Sequence, residues 1–250
     1  MTCANALGRG RMTRSFLIKG VIMKVIFWDF DGTLVHSNHL WSGSVYNALK
    51  QVCPDTEVEF AEIRKYMAHG FTWHTPNEDY SQITGDKWWT HMNAYFCSCY
   101  IALGVPADIA ESATKHIRTI IKRKENYTLY PDSVSTLKTL NEMGFTNALL
   151  SNNYPDLIEV LEKLGIADFF DNIIISAKVG YDKPRKEIFE IAKNLYSNAE
   201  AYSMIGDSVN ADIIGGNNAG MTTVLVHRGY DENADHCVDD LEQIIEIMSE

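Results

Sequence analysis

The chain has 250 residues, 46% of them hydrophobic, and carries a formal net charge of −11. That length and composition suit one large domain, or a core with an insertion, and exclude a disordered chain. The acidic balance leaves no basic face for tracking a polyanion, which excludes nucleic-acid binding as the main activity; a small phosphate needs only a local positive site, and a bound metal can supply much of that.

Residues 1–23 contain Arg9, Arg11, Arg14 and Lys19 and no acid, a composition that superficially suggests a targeting leader. Met23 stands one residue before a strand-like run, so the segment reads instead as an upstream start or an added, disordered leader. The five cysteines, Cys3, Cys53, Cys97, Cys99 and Cys237, are scattered and follow no secretory signal, which argues against a disulfide framework and for a cytoplasmic location. Cys97 and Cys99 are read as helix-packing residues. No apolar run approaches the ~18 residues of a membrane span.

The first strand is expected at residues 25–28, ending in an acidic, glycine-containing turn. About a hundred residues then intervene before the next strand, far more than a crossover helix of roughly a dozen residues needs. Within them, helical patterns cover 40–52, 59–67, 87–103 and 107–124. Residues 36–127 are therefore expected to form a helical cap domain, with hinges near His36 and 126–130 and a specificity loop over 68–77. Buried strands follow at 146–150, 173–175, 201–205 and 222–226, alternating with amphipathic helices at 133–143, 155–164, 186–195 and 210–219. Residues 24–35 and 128–250 thus form an α/β core, a Rossmann-like parallel sheet covered on both faces.

Asp29-Phe30-Asp31-Gly32-Thr33 follows the first strand directly and places two carboxylates at the carboxyl end of a parallel sheet, where such folds bind ligands. Adjacent anions repel, so the pair makes sense if a cation neutralises one and the other can carry a proton. Three further polar groups follow later strands. Ser151, with Asn152 and Asn153, offers a hydroxyl and backbone N–H groups for phosphate oxygens. Lys183 offers a fixed ammonium. Asp207 and Asp212, in Gly206-Asp207-Ser208-Val209-Asn210-Ala211-Asp212, add hard oxygen ligands of the kind magnesium takes. Each motif alone also fits a solvated turn or a helix cap.

Together and in this order, the four motifs resemble those of the haloacid-dehalogenase-like superfamily, in its phosphoglycolate-phosphatase-like branch with a helical cap after the first motif. The resemblance covers about residues 24–245 and implies sheet order 5-4-1-2-3, with an edge strand around Cys237-Val238 as a further option. It implies a magnesium-dependent phosphatase in which Asp29 is the nucleophile and Asp31 the acid and then the base. Asp29, the backbone carbonyl of Asp31, Asp207 and Asp212 would form the metal site, while Gly32, Thr33, Ser151, Asn152 and Lys183 would hold the phosphate.

Dehalogenases of the superfamily lack the second Asp of the first motif, so Asp31 argues for phosphoryl transfer. The alternatives are a sugar-phosphate mutase, whose branch places a histidine where this chain has Trp41, and a catalytically silent phosphate-binding regulator. His36 stands where phosphatases with this cap often carry Asp. Substrate selection is assigned to His36, Trp73 and His74 in and before the cap loop. The implied partner is a small phosphorylated metabolite, with a sugar phosphate, phosphoglycolate or a nucleotide all compatible, and the chain would act as a monomer or homodimer.

Overall fold

The structure is a computed structural model and describes residues 23–37 and 39–249; the expected leader therefore lies, except for Met23, outside the described residues. In chain order the strands and α-helices are β1 (Lys24–Trp28), β2 (Val35–His36), α1 (Leu40–Val52), α2 (Phe60–Met67), α3 (Asp86–Ala102), α4 (Ala107–Ile121), β3 (Thr128–Leu129), α5 (Ser133–Glu142), β4 (Thr146–Ser151), α6 (Leu157–Leu164), β5 (Asn172–Ile175), α7 (Ser176–Val179), α8 (Lys186–Asn194), β6 (Ala201–Gly206), α9 (Gly215–Asn218), β7 (Thr222–Val226), β8 (His236–Val238) and α10 (Gln243–Ser249).

After the exposed Lys24, β1 is apolar because Val25 to Trp28 are buried on both faces of the sheet. Its alternating side chains divide between two cores: Ile26 and Trp28 join one hydrophobic cluster, Val25 and Phe27 the other. β1 pairs in parallel with β4 on one side and β6 on the other, and the sheet order is β5-β4-β1-β6-β7-β8. Numbering only the five strands read from the sequence, this is the 5-4-1-2-3 order, and β8 adds a parallel edge strand beside β7. Trp28 lies opposite both Leu149 and Ile205, so β1, β4 and β6 end together and their following loops converge.

The long insertion after β1 is helical. α1 and α3 both pack on α4, and β2 pairs antiparallel with β3, Val35 opposite Leu129 and His36 opposite Thr128. The chain thus leaves and re-enters the sheet side by side. α4 stops at Ile121, short of the expected end, because the Asn126 side chain donates to the carbonyls of Ile120 and Ile121 and closes the helix. The helical insertion stands over the carboxyl edge of the sheet. Arg118 and Trp89 both donate to Asp156, at 2.8 and 2.7 Å, and the Lys122 ammonium lies 3.0 Å from Glu159. On the other side Gly85 N–H donates to the Ala177 carbonyl, and Arg185 donates to the Glu78 carbonyl. No helix among the described residues is long and apolar enough to cross a membrane.

Candidate active site

The loop after β1 is folded by its own backbone. The N–H groups of Thr33, Leu34 and Val35 all donate to the Phe30 carbonyl, and Asp29 N–H continues the ladder to Ile205. Gly32 adopts φ +83°, and a Cβ there would stand 2.3 Å from Oδ2 of Asp207. Glycine is therefore required twice at this position, by conformation and by the approach of a carboxylate from the β6 loop.

Lys183 is the hub of the site. The residue is 2% exposed, and its ammonium donates to Asp29 Oδ1 at 2.9 Å, Asp212 Oδ1 at 2.6 Å and the Leu150 carbonyl at 2.7 Å. All three donor positions are satisfied, as a buried ammonium requires. Burial alone would lower its affinity for the proton, but the charges of Asp212 and Asp29 outweigh that and raise it above the usual lysine range. Asn152 holds the backbone of the same residue: its amide donates to the Lys183 carbonyl and accepts from the Lys183 N–H. The side chain expected on phosphate is thus spent on orienting the lysine.

Asp31 is turned away from this hub. Its Oδ2 accepts from Asn153 Nδ2 at 2.7 Å, and its Oδ1 is buried without a hydrogen-bond partner among the described residues. Burial, and then the charge of Asp29, push its carboxyl up to about 7 against the opposing Asn153 hydrogen bond. The hydroxyls of Thr33 and Ser151 are likewise buried and unpartnered among the described residues. Orphaned buried hydroxyls are costly in a core, and here one follows β1 in the Asp29 loop and the other ends β4, the strand beside β1.

β6 delivers Asp207 and Asp212. A π-helical turn, Val209–Ile214, precedes α9; such bulges re-aim side chains, and this one leaves Asp212 fully buried with its Oδ2 accepting from Ser208 N–H. Gly206 is needed because a Cβ would meet the Asp212 carboxylate at 2.1 Å. Oxygens of Asp29, Asp207 and Asp212 lie within 4.8 Å of one another, whereas the Asp31 side chain is outside that group. The three carboxylates of this group face two cations: Lys183 pairs with Asp29 and Asp212, and Arg228 pairs with Asp207. A cluster of hard carboxylate oxygens with negative charge in excess of its cations fits a divalent cation such as magnesium.

Beside Asp31 the helical insertion and the core flank an open cavity of about 420 Å³. Trp73 lines it, together with Asn152 and Asn153. His36 and His74 are not among the lining residues. The His36 ring lies 5.3 Å from Tyr130 on the β2–β3 ribbon, and His74 accepts from Phe71 N–H within its own turn. The lining instead includes His39 and Arg64. Sequence reasoning also missed Asn153 and Arg228. Asn153 was visible as the last residue of Ser-Asn-Asn, and Arg228 lies two residues beyond the fifth strand, at the carboxyl edge; their partners in the site, Asp31 and Asp207, are 122 and 21 positions away in the chain.

A family model described as haloacid dehalogenase-like hydrolase matches residues 23–220. The glyceraldehyde 3-phosphate phosphatase of Methanopyrus kandleri is 42% identical over 102 residues, a match covering 40% of this chain and 44% of that enzyme. The matched stretch therefore spans less than half of that relative. The enzyme of the same name from Pyrococcus furiosus is 27% identical over 246 residues, covering 90% of this chain and 93% of its own length. Among solved structures, the magnesium-bound putative hydrolase YfnB of Bacillus subtilis superposes with a TM-score of 0.69 at 20% identity, covering 92% of this chain and all of that one, a likeness of fold.

Proposed function

The chain belongs to the haloacid dehalogenase-like hydrolases, and on that premise we propose that it is a magnesium-dependent phosphatase of a small phosphorylated metabolite, with Asp29 as the nucleophile. The observation that carries this reading is the separation of two neighbouring carboxylates into different surroundings: Asp29 is held by the Lys183 ammonium, while Asp31 is held by Asn153 beside the cavity. Near-identical groups in unlike environments can divide the work of nucleophile and acid. The relatives named for glyceraldehyde 3-phosphate support a small phosphate monoester as substrate.

In the proposed reaction an Asp29 carboxylate oxygen attacks phosphorus as the bond to the leaving oxygen breaks, and Asp31 gives that oxygen its proton. Asp31, now ionised, takes a proton from water as the water oxygen attacks the phosphorus of the aspartyl-phosphate. The Asp29–phosphate bond breaks, inorganic phosphate leaves, and both carboxyl groups return to their starting states. Lys183 keeps Asp29 aimed and offsets charge on the transferred group, and the hydroxyls of Ser151 and Thr33 are free to donate to its oxygens. Asp29, Asp207 and Asp212, with the Asp31 carbonyl, would hold the magnesium, which when bound supplies charge neutralisation to the phosphoryl oxygens.

The test is phosphate release from para-nitrophenyl phosphate with magnesium, run beside Asp29→Asn and an EDTA control. Turnover that both controls abolish supports the reading. Turnover that survives Asp29→Asn removes Asp29 as the nucleophile.

A further inference from the structure

The cavity beside Asp31 is unequally lined. Its core side carries Asp31, Asn152 and Asn153; its other wall mixes aromatic and aliphatic side chains, Trp41 and Trp73 among them, with Ser37, Ser42 and His39, and holds one side chain of fixed positive charge, Arg64 of α2. Met67 and Ala68 line the same cavity, and they stand three and four residues beyond Arg64, so one face of α2 is turned to it.

Arg64 differs from the other arginines near charged groups. Arg118, Arg185 and Arg228 each pair with a carboxylate, whereas Arg64 makes no ion pair among the described residues. Its own helix offers it none, because the residues three and four positions away are Phe60, Ala61, Met67 and Ala68. Arg123 is likewise exposed and without an ion pair among the described residues, but only Arg64 of the two lines the reaction cavity. The charge of the transferred phosphoryl group would be met by Lys183 and by the magnesium that Asp29, Asp207 and Asp212 would hold, which leaves Arg64 unmatched. A guanidinium presents a planar fork that fits a carboxylate or a phosphate in two-point fashion.

We propose that Arg64 is a specificity residue that receives a second anionic group, carboxylate or phosphate, carried by the leaving-group end of the substrate. The inference rests on the phosphatase reading for the identity of the first group, and it narrows the substrate class to phosphate monoesters with two separated anionic ends. His39, also on the lining, lies in a left-handed backbone conformation, φ 58°, at the start of α1, with its ring packed on Phe60. It forms part of the wall next to the proposed anion site.

The test compares three ligands of equal chain length that differ at the far end: glycerol 3-phosphate, 3-phosphoglycerate and glycerol 1,3-bisphosphate. Calorimetric titration uses magnesium-loaded Asp29→Asn protein, in which binding is read without turnover, against the double variant Asp29→Asn/Arg64→Ala. The expected result is at least tenfold weaker binding of the carboxylate or the bisphosphate ligand on loss of Arg64, less than twofold change for glycerol 3-phosphate, and partial recovery with Arg64→Lys. Which of the two charged ligands responds more identifies the second group. Equal weakening of all three, no change in any, or no measurable binding of either charged ligand overturns the proposal. Phosphate release by the unmutated chain is measured in parallel. If no ligand is hydrolysed and binding still depends on Arg64, the phosphatase reading fails and the anion site stands.

Discussion

A Cβ on Gly32 would lie 2.3 Å from Oδ2 of Asp207, so the loop after the first strand and the loop after the sixth are in contact through a glycine. Gly32→Ala must resolve both that clash and a backbone φ of +83°. We expect a loss of about 1–3 kcal/mol in stability from the strained conformation. Displacing Asp207 should lower turnover by roughly 100-fold, as an ångström-scale misplacement in an active site does. Chemical denaturation and phosphate release measured on the same preparation separate the two effects. Unchanged turnover would show that Asp207 tolerates the move.

Removal of the Lys183 ammonium leaves Asp29 and Asp212 buried without their shared partner. Lys183→Met should destabilise the fold by about 3–5 kcal/mol at neutral pH, the range for a broken buried pair. Adding Asp212→Asn to that variant removes one stranded charge and should recover part of the loss. Urea midpoints of the single and double variants check this, and a double variant less stable than the single one would contradict it.

Asp156 joins the helical insertion to the core by accepting from Arg118 and Trp89. Burial raises its carboxyl, but those hydrogen bonds outweigh burial and hold it below the usual aspartate value. A lowered folded-state value means that the stabilisation is fully present above the unfolded value of about 3.9 and is lost as pH falls through the lower folded value. Arg118→Ala should therefore cost about 1 kcal/mol at pH 7, an amount reduced by the partial exposure of the arginine. The gap from the unmutated chain should begin to narrow below about pH 4 and shrink further as the folded-state value is passed. Denaturation at pH 7 and pH 3 tests the sign, and a gap that widens in acid would reverse it.

Arg228 donates to Asp207 from an exposed position on the loop after β7, its Nε 3.1 Å from Oδ2. Because that carboxylate also belongs to the proposed metal-binding group, guanidinium and metal would compete for it. Arg228→Ala should tighten magnesium binding by a factor of up to about five, the worth of an exposed ion pair. Calorimetry at constant ionic strength reads the change. Unaltered or weaker affinity would mean that the pair does not oppose the metal.

Much of the fold was legible because its signals are local. The apolar stretch 25–28 has to be buried on both faces, and the four later stretches of the same kind, separated by amphipathic helices, imply a parallel sheet. Once the sheet is parallel, every strand ends on one edge, so Asp29, Ser151, Lys183 and Asp207 could be assigned to a single region before any coordinates. The placement of Lys183 between Asp29 and Asp212 follows from that edge.

The tertiary structure decided what each polar group faces. Asn153 and Asp31 are 122 positions apart, and no pattern within either segment pairs them. Asn152 carries the right chemistry for phosphate, yet the turn before Pro184 brings the Lys183 backbone to it first. The insertion was recognisable as helical from its periodicity, but which of its side chains reach the reaction cavity depends on how the β2–β3 ribbon and the Arg118–Asp156 contact set it over the sheet. That orientation turns Arg64 and Trp73 to the cavity and leaves His36 and His74 off its lining. By itself the sequence determined the sheet and the chemical content of its carboxyl edge, because hydrophobic period and strand-end polarity are properties of short segments. Only the folded chain decided the pairings and the cavity wall, because those depend on distances between segments that the chain keeps far apart.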